Sequence, residues 1–372
     1  MRTKLGIGVG VMALIVASAP PASAGDNVVA DNLTSPLGFA VTDGGTLYVA
    51  EAFAGLLTKI APNGTRTELA SAPPGSGTAG VAKAPNGSVY YTLTLPPEQG
   101  SPPDTALAVV HPNGSTETLA SLADYEAQNN PDAGNVYGIL RDGDCYDDFG
   151  ALSKFLGPAR YSGQVESNPY AVAIEGYDSA IVADAAGNDI VRVVGGEVST
   201  VAVLPPIKQR LTKQAVRKEV RRINRKLERR GKDPIARRSL DSCIGVNYAS
   251  NPVPTDVEIG PDGHYYVSTL PGGPELPGYA RVFRVNAATG AVRTVAKGFT
   301  GATDLAVAGD GTIYVAELFA FQVSTVAPGD RSATSSTFVD CPTAVEVNSA
   351  GDVYVARGGL CGPDPGEIIT LG

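Results

Sequence analysis

Tryptophan is absent, and methionine and histidine occur only twice each in 372 residues. So little imidazole leaves little room for histidine chemistry. His111 sits beside a turn and His264 in a hairpin, and neither has His or Cys partners at zinc-site spacing. No Gly-x-Ser-x-Gly or comparable nucleophile signature occurs. These gaps argue against histidine-based catalysis, a zinc centre and a serine esterase. After the run Leu5 to Ala19 no long apolar stretch follows, so no membrane span or C-terminal anchor is expected.

That first run has its own reading. Arg2 and Lys4 make a basic start, Leu5 to Ala19 is apolar, and Ala22-Ser23-Ala24 is a small-x-small cleavage site. The pattern is that of a secretory signal peptide over 1–24, with a mature chain from Gly25. The competing reading is a short buried helix. No Cys stands at the cleavage point, which argues against a lipid anchor. A secreted, extracellular protein is expected, and its four cysteines then suggest two disulfides.

Gly (44) and Pro (28) are plentiful, which suits many short strands joined by tight turns. Charge is unevenly spread. Residues 208–238 hold fourteen of the 29 Lys and Arg, opposed only by Glu219, Glu228 and Asp233. Outside that segment and the signal remain 13 basic and 35 acidic residues, an excess of 22 negative charges. The chain is an acidic body with one basic arm, and partners must be considered separately for each.

One pattern recurs six times. A first apolar anchor is followed nine residues later by a second: Phe39 and Tyr48, Val81 and Tyr90, Val172 and Ile181, Val257 and Tyr266, Leu305 and Tyr314, Val345 and Tyr354. Turn signals such as Pro85-Asn86-Gly87 and Pro261-Asp262-Gly263 lie between them. Third and fourth strands follow, split by Pro62-Asn63-Gly64, Pro112-Asn113-Gly114, Gly195-Gly196 or Thr289-Gly290. Repeated four-stranded antiparallel units predict an all-β, six-bladed β-propeller over 25–372 as a single domain. The last unit offers three strands, and Asn27 to Leu33 can supply the fourth and close the ring. A β-helix would need shorter repeats, and a sandwich would need none.

Successive first anchors are 42, 91, 85, 48 and 40 residues apart, so two intervals contain insertions, about 123–168 and 205–252. Both connect an outer strand to the next inner strand, which places them on one face. Cys145 lies in one insertion and Cys243 in the other, while Cys341 and Cys361 flank the first two strands of the last unit. Cys145–Cys243 with Cys341–Cys361 is the simplest of three pairings.

The unit Ile181-Val182-Ala183-Asp184-Ala185-Ala186-Gly187-Asn188-Asp189-Ile190-Val191-Arg192 resembles an NHL repeat. Two longer stretches carry a second likeness. One runs through Tyr125-Glu126-Ala127, Asn129-Asn130-Pro131-Asp132 and Ser167-Asn168-Pro169-Tyr170. The other runs through Val253-Pro254-Thr255-Asp256, Gly260-Pro261-Asp262-Gly263-His264-Tyr265-Tyr266-Val267 and Pro277-Gly278-Tyr279-Ala280-Arg281-Val282. They resemble the ScyD/ScyE family of exported bacterial propellers over nearly all of the mature chain, the basic arm excepted. The resemblance implies the fold and export, and no catalytic residues.

Acidic residues supply the candidate metal site. Asp256 and Asp304 precede their first anchors by one, and Glu258 and Glu346 follow theirs by one. Inner strands line the central channel, so the four carboxylates can converge there, and an oxygen-only set suits Ca²⁺. The alternative is a hydrated polar channel. Propellers of the gluconolactonase type set a Glu, an Asn and an Asp near their strand starts, and Leu37, Ala79, Thr303 and Thr343 occupy such positions here. Glu51, Asp184 and Glu317 end second strands and suit either ligand contact or turn capping. Asp142, Asp144, Asp147 and Asp148 loosely resemble a calcium loop, without its Gly and terminal Glu.

In the basic arm, Ile207, Leu211, Ala215, Val216, Val220, Ile223 and Leu227 recur at helical spacing, and Gly231 and Pro234 end the pattern. Arg217, Arg221, Arg222, Arg225 and Arg229 are the candidate polyanion contacts. A cationic amphipathic helix can bind an anionic membrane surface, nucleic acid or an acidic polymer. It can equally pack its apolar stripe on the acidic body. No specific nucleic-acid contact is inferred, and a monomer is expected. The arm is taken to lie between blades without supplying a strand. The reading that follows is an exported, non-catalytic binding or scaffold protein using the insertion-bearing face. Its alternative is a metal-dependent hydrolase or lyase at the channel mouth.

Overall fold

The computed structural model describes residues 27–97 and 103–371, and the expected signal peptide, 1–24, lies outside the described residues. Seven four-stranded antiparallel sheets are present among them. Five are built from consecutive strands and begin with Pro36–Val41, Val81–Lys83, Pro169–Ile174, Pro254–Ile259 and Ala302–Val307. We number these sheets 1 to 5 in chain order. Sheet 6 contains Pro342–Val347, Val353–Arg357 and Gly366–Leu371, completed at its outer edge by Asn27–Leu33. There Asn27 pairs with Thr370 and Leu33 with Gly366, so the chain's described ends share a sheet.

The first strands of sheets 1 to 6 lie side by side, each against the next and the last against the first. Apolar side chains fill every gap between neighbouring sheets. Phe39, Val49 and Ile60 of sheet 1 meet Ala344, Ala356 and Ile368 of sheet 6, and Ile181 and Ile190 of sheet 3 meet Val257, Val267 and Phe283 of sheet 4. The nine-residue anchors fall in these gaps. Tyr48, Tyr90 and Ile181 are buried there, and Tyr266, Tyr314 and Tyr354 pack partly buried against them. A strand has two faces, so no sheet can bury both without a neighbour on each side.

Near the channel the sheets approach backbone to backbone. A Cβ on Gly80 would lie 2.6 Å from Ala171 Cα and 2.8 Å from the Tyr170 carbonyl oxygen. Only a residue without a side chain fits that contact.

The insertions differ from the expected loops. They share a seventh sheet, ordered Arg160–Ser162, Val136–Ile139, Asn247–Ser250 and Ile207–Arg210, with strands taken from both insertions. The basic arm therefore does contribute a strand, because Lys208, Gln209 and Arg210 pair with Ala249, Tyr248 and Asn247. Gln209 alternates inward and donates to Ser250 Oγ at 2.7 Å, which places apolar and polar interior contacts on a segment read only for its charge. Four helices accompany this sheet: α1 (Leu122–Asn129), α2 (Asp144–Ala151), α3 (Ser153–Leu156) and α4 (Lys213–Glu228). A seventh apolar cluster joins α2, α3 and α4 to this sheet through Ile139, Phe149, Leu156, Val216 and Val220, whereas Leu122 of α1 packs between sheets 2 and 3. Disulfides link Cys145 to Cys243 and Cys341 to Cys361. Two disulfides are consistent with an extracellular protein.

Candidate functional site

The channel carboxylates do come together. Asp256, Glu258, Asp304 and Glu346 line one small cavity of about 20 Å³ with Thr255 and Tyr170, room for a single water-sized species. Asp256 and Asp304 are turned toward the neighbouring sheet. Asp256 Oδ2 accepts from Leu305 N at 3.2 Å, and Asp304 Oδ1 accepts from Val345 N at 3.1 Å. Each thus ties its own first strand to the next one. Glu258 and Glu346 stay half-buried. Burial pushes Asp256 up to about 7 against two backbone hydrogen bonds that lower it. Burial, followed by repulsion among the four, raises Glu258, Asp304 and Glu346 well above the usual carboxylate range. Among the described residues, no three His, Cys, Asp or Glu side chains are arranged to hold a metal ion. Asp256 and Asp304 therefore act as tethers between neighbouring first strands, while Glu258 and Glu346 complete the acidic lining of the cavity.

Glu51, Asp184 and Glu317 cap the segments that enter their own sheets. Glu51 accepts from Thr34 N at 2.7 Å and Thr58 Oγ1 at 2.6 Å, and Glu317 accepts from Thr300 N at 2.5 Å. Asp184 accepts from Asn168 N (2.7 Å), Gly187 N (2.9 Å) and Ser167 Oγ (2.6 Å). The four aspartates of the loose calcium pattern are dispersed. Asp142 pairs with Arg160 at 2.9 Å, Asp148 accepts from Ser242 Oγ at 2.6 Å, and Asp144 and Asp147 occupy the first turn of α2. His111 pairs with Glu117 at 3.0 Å, and His264 Nδ1 accepts from Ala287 N at 3.3 Å.

A second acidic group was not anticipated. Glu126, Asp132, Asp184 and Asp189 are all buried where the first insertion meets sheet 3. Asp132 Oδ2 accepts from Tyr137 Oη at 2.8 Å and Asn188 Nδ2 at 2.9 Å, while Asp189 Oδ2 has no hydrogen-bond partner among the described residues. Burial, then repulsion from Asp184 and Asp132, pushes Glu126 up to about 7. Burial, then repulsion from Asp184, Glu126 and Asp132, raises Asp189 well above its ordinary range. Asn188 and Asp189 stand in the NHL-like unit and Asp132 in the Asn-Asn-Pro-Asp stretch. The sequence signal was present, but nothing in it showed that segments some fifty residues apart would meet away from solvent.

The basic arm is the exposed feature of the insertions. Thr212 caps α4, its Oγ1 accepting from Ala215 N at 3.1 Å. Val216, Val220, Ile223 and Leu227 are buried, so the apolar stripe packs on the protein's own insertion sheet. Two of the five expected arginines are engaged. Arg217 makes a two-pronged pair with Asp241 at 2.8 and 2.6 Å, and Arg222 pairs with Glu219, with Nε at 2.7 Å. Arg221, Arg225 and Arg229 are exposed, in line with Lys218. At ~1.5 Å rise per residue, these four cations mark a row ~16 Å long.

No family model matches the sequence, and no curated protein matches it. Solved structures do match in shape. A glucose dehydrogenase aligns with a TM-score of 0.54 and 13% identity over 93% of this chain and 99% of that one. A calcium-binding protein, regucalcin, from Agrobacterium tumefaciens aligns at 0.51 and 14% identity over 94% and 93%. A streptogramin B lyase aligns at 0.49 and 11% identity over 94% and 98%. These neighbours are propeller proteins, some of them enzymes and some calcium-binding. At such identities the likeness shows the fold alone: the chain is a β-propeller, mostly β, built from four-stranded antiparallel sheets.

Proposed function

We propose that the chain is an exported, six-bladed propeller of the ScyD/ScyE type with one appended sheet, acting as a non-catalytic binding or scaffold protein. In this reading sheets 1 to 6 are the blades, and the insertion-bearing face carries the binding surface. Helix α4 is its principal contact, and the partner is an extracellular anionic polymer. The observation that supports it is the burial of Val216, Val220, Ile223 and Leu227 beneath an exposed row of Lys218, Arg221, Arg225 and Arg229. A helix that embeds in a membrane must offer its apolar side to lipid. Here that side is already covered, which favours contact through charge. Arginine forks suit phosphate and carboxylate groups.

The test compares the mature protein with the variant Arg221→Gln/Arg225→Gln/Arg229→Gln on an anionic matrix at increasing salt. The variant should elute earlier, with the slope of log retention against log salt reduced by about one per charge removed. Equal elution at low salt would sink the reading.

A second reading, a metal-dependent hydrolase or lyase at the channel mouth, draws support from the four carboxylates around one ion-sized cavity. Calcium would then raise the melting temperature, and Glu258→Gln with Glu346→Gln would remove that rise. A melting temperature indifferent to millimolar calcium would dispose of it.

A further inference from the structure

On the outer rim, between sheets 4 and 5, Arg281, Lys297 and Arg331 surround a cavity of about 250 Å³ with Thr294 and Val295. Arg281 and Lys297 stand directly opposite each other on neighbouring antiparallel strands, Ala280–Val285 and Val292–Phe299. Side chains so paired point the same way, and like charges there repel. The pairing sits between two irregularities in the ladder, one at Ala280/Arg281 and one at Val282/Phe283. Arg331 comes from the next sheet's connection and is held in place by its backbone, its carbonyl accepting from Lys297 N at 3.1 Å. Its side chain also reaches the Thr294 carbonyl, at 3.5 Å.

None of the three cations has a carboxylate partner among the described residues, unlike Arg160, Arg217 and Arg222. Arg281 is half-buried, and burial without a compensating acid lowers its affinity for its proton. Arg281 stands half-buried between the exposed Lys297 and Arg331, and no carboxylate among the described residues offsets the three charges. The stretch around Arg281 belongs to the ScyD/ScyE-like segment, and the function above makes no use of it.

We propose that this recess is a binding site for an oxyanion group, a phosphate or sulfate ester carried by a small molecule. Arg281 supplies a bidentate fork, Lys297 and Arg331 supply point charge from two sides, and Thr294 supplies a hydroxyl. The cavity has room for the anionic group and a small organic portion beyond it. The site is independent of α4, which stands on the insertion sheet.

The test is a thermal and calorimetric titration of the mature protein with inorganic phosphate, sodium sulfate and sodium chloride at matched ionic strength. Phosphate and sulfate should each raise the melting temperature above the chloride control. Arg281→Gln should weaken phosphate binding by about tenfold or more, as loss of a charged hydrogen-bonding partner does. Lys297→Thr keeps a good strand former at an exposed position, and it carries the test if the arginine variant fails to fold. It should weaken phosphate binding and, without phosphate, raise the melting temperature, because repulsion is relieved. The rise separates this site from a structural role for the cations, whose removal would lower stability. A phosphate effect no larger than that of chloride overturns the proposal. So does an effect that persists in Lys297→Thr and disappears in the triple α4 variant.

Discussion

The ring and the insertion sheet are both four-stranded antiparallel structures, yet they are assembled in different ways. Each ring sheet is made from hairpins whose partners are close in sequence, sheet 6 alone borrowing a strand from the other end of the chain. The insertion sheet pairs Gly138 with Ala249 and depends on a disulfide closing a separation of 98 residues. Ring sheets gain stability from neighbours on both sides. The insertion sheet has its own apolar cluster instead, covered by α4. Two assemblies of the same local geometry should therefore fail separately.

The largest effect is expected from Cys145→Ser with Cys243→Ser. A closed loop of this length is worth about 5 kcal/mol in chain-entropy terms. Hydrogen exchange should accelerate in Val136–Ile139 and Asn247–Ser250 while Val49, Val182 and Val315 of the ring stay protected. Uniform loss of protection would show that the two regions unfold as one. Gly80→Ala is the converse, placing a methyl group against the Ala171 backbone. It should cost about 3 kcal/mol in urea denaturation and expose the ring. An unchanged midpoint would refute the close approach of sheets 2 and 3.

The buried acids give a smaller, pH-dependent effect. Asp256 and Glu126 are each raised to about 7, and Glu258, Asp304, Glu346 and Asp189 are raised as well. The folded protein therefore holds protons that the unfolded chain releases near pH 4. That stabilising term is complete below about pH 4 and is lost as pH rises through 7 and beyond. The urea midpoint should be lower at pH 8 than at pH 5, and Glu346→Gln should recover part of the difference, on the order of 1 kcal/mol at pH 8. A midpoint that rises over this interval would mean that the acids are compensated. The smallest effect on stability belongs to Arg221→Gln/Arg225→Gln/Arg229→Gln, about 0.5 kcal/mol or less, since exposed charges contribute little. A large loss would show that these side chains hold the insertion sheet to the ring.

Periodicity explains how far the residues could be read without coordinates. Anchor pairs such as Leu305 and Tyr314 repeat at fixed spacing because every ring sheet faces the same packing problem. The rhythm of Val216, Val220, Ile223 and Leu227 likewise identified α4 and its apolar side. The strand Ile207–Arg210 escaped because four residues with alternating polarity beside a long cationic helix look like part of that helix. The recess at Arg281, Lys297 and Arg331 escaped for another reason. Its members are 16 and 34 residues apart in sequence, and neither spacing carries a periodic signal.

Local order along the chain determined the four-stranded unit, its repetition and the helix of the basic arm, because hairpins, turns and amphipathic helices depend on near neighbours, and the strand missing from the last unit pointed to Asn27–Leu33 as its closure. Only the tertiary structure decided which charges lost their water. It turned Asp256 and Asp304 into tethers between sheets, paired Arg217 with Asp241, buried Asp189 Oδ2 without a hydrogen-bond partner among the described residues and left Arg281 facing Lys297. Whether an ionisable group is paired, protonated or open to a ligand depends on burial and on side chains brought from distant segments, and neither is encoded in the residues beside it.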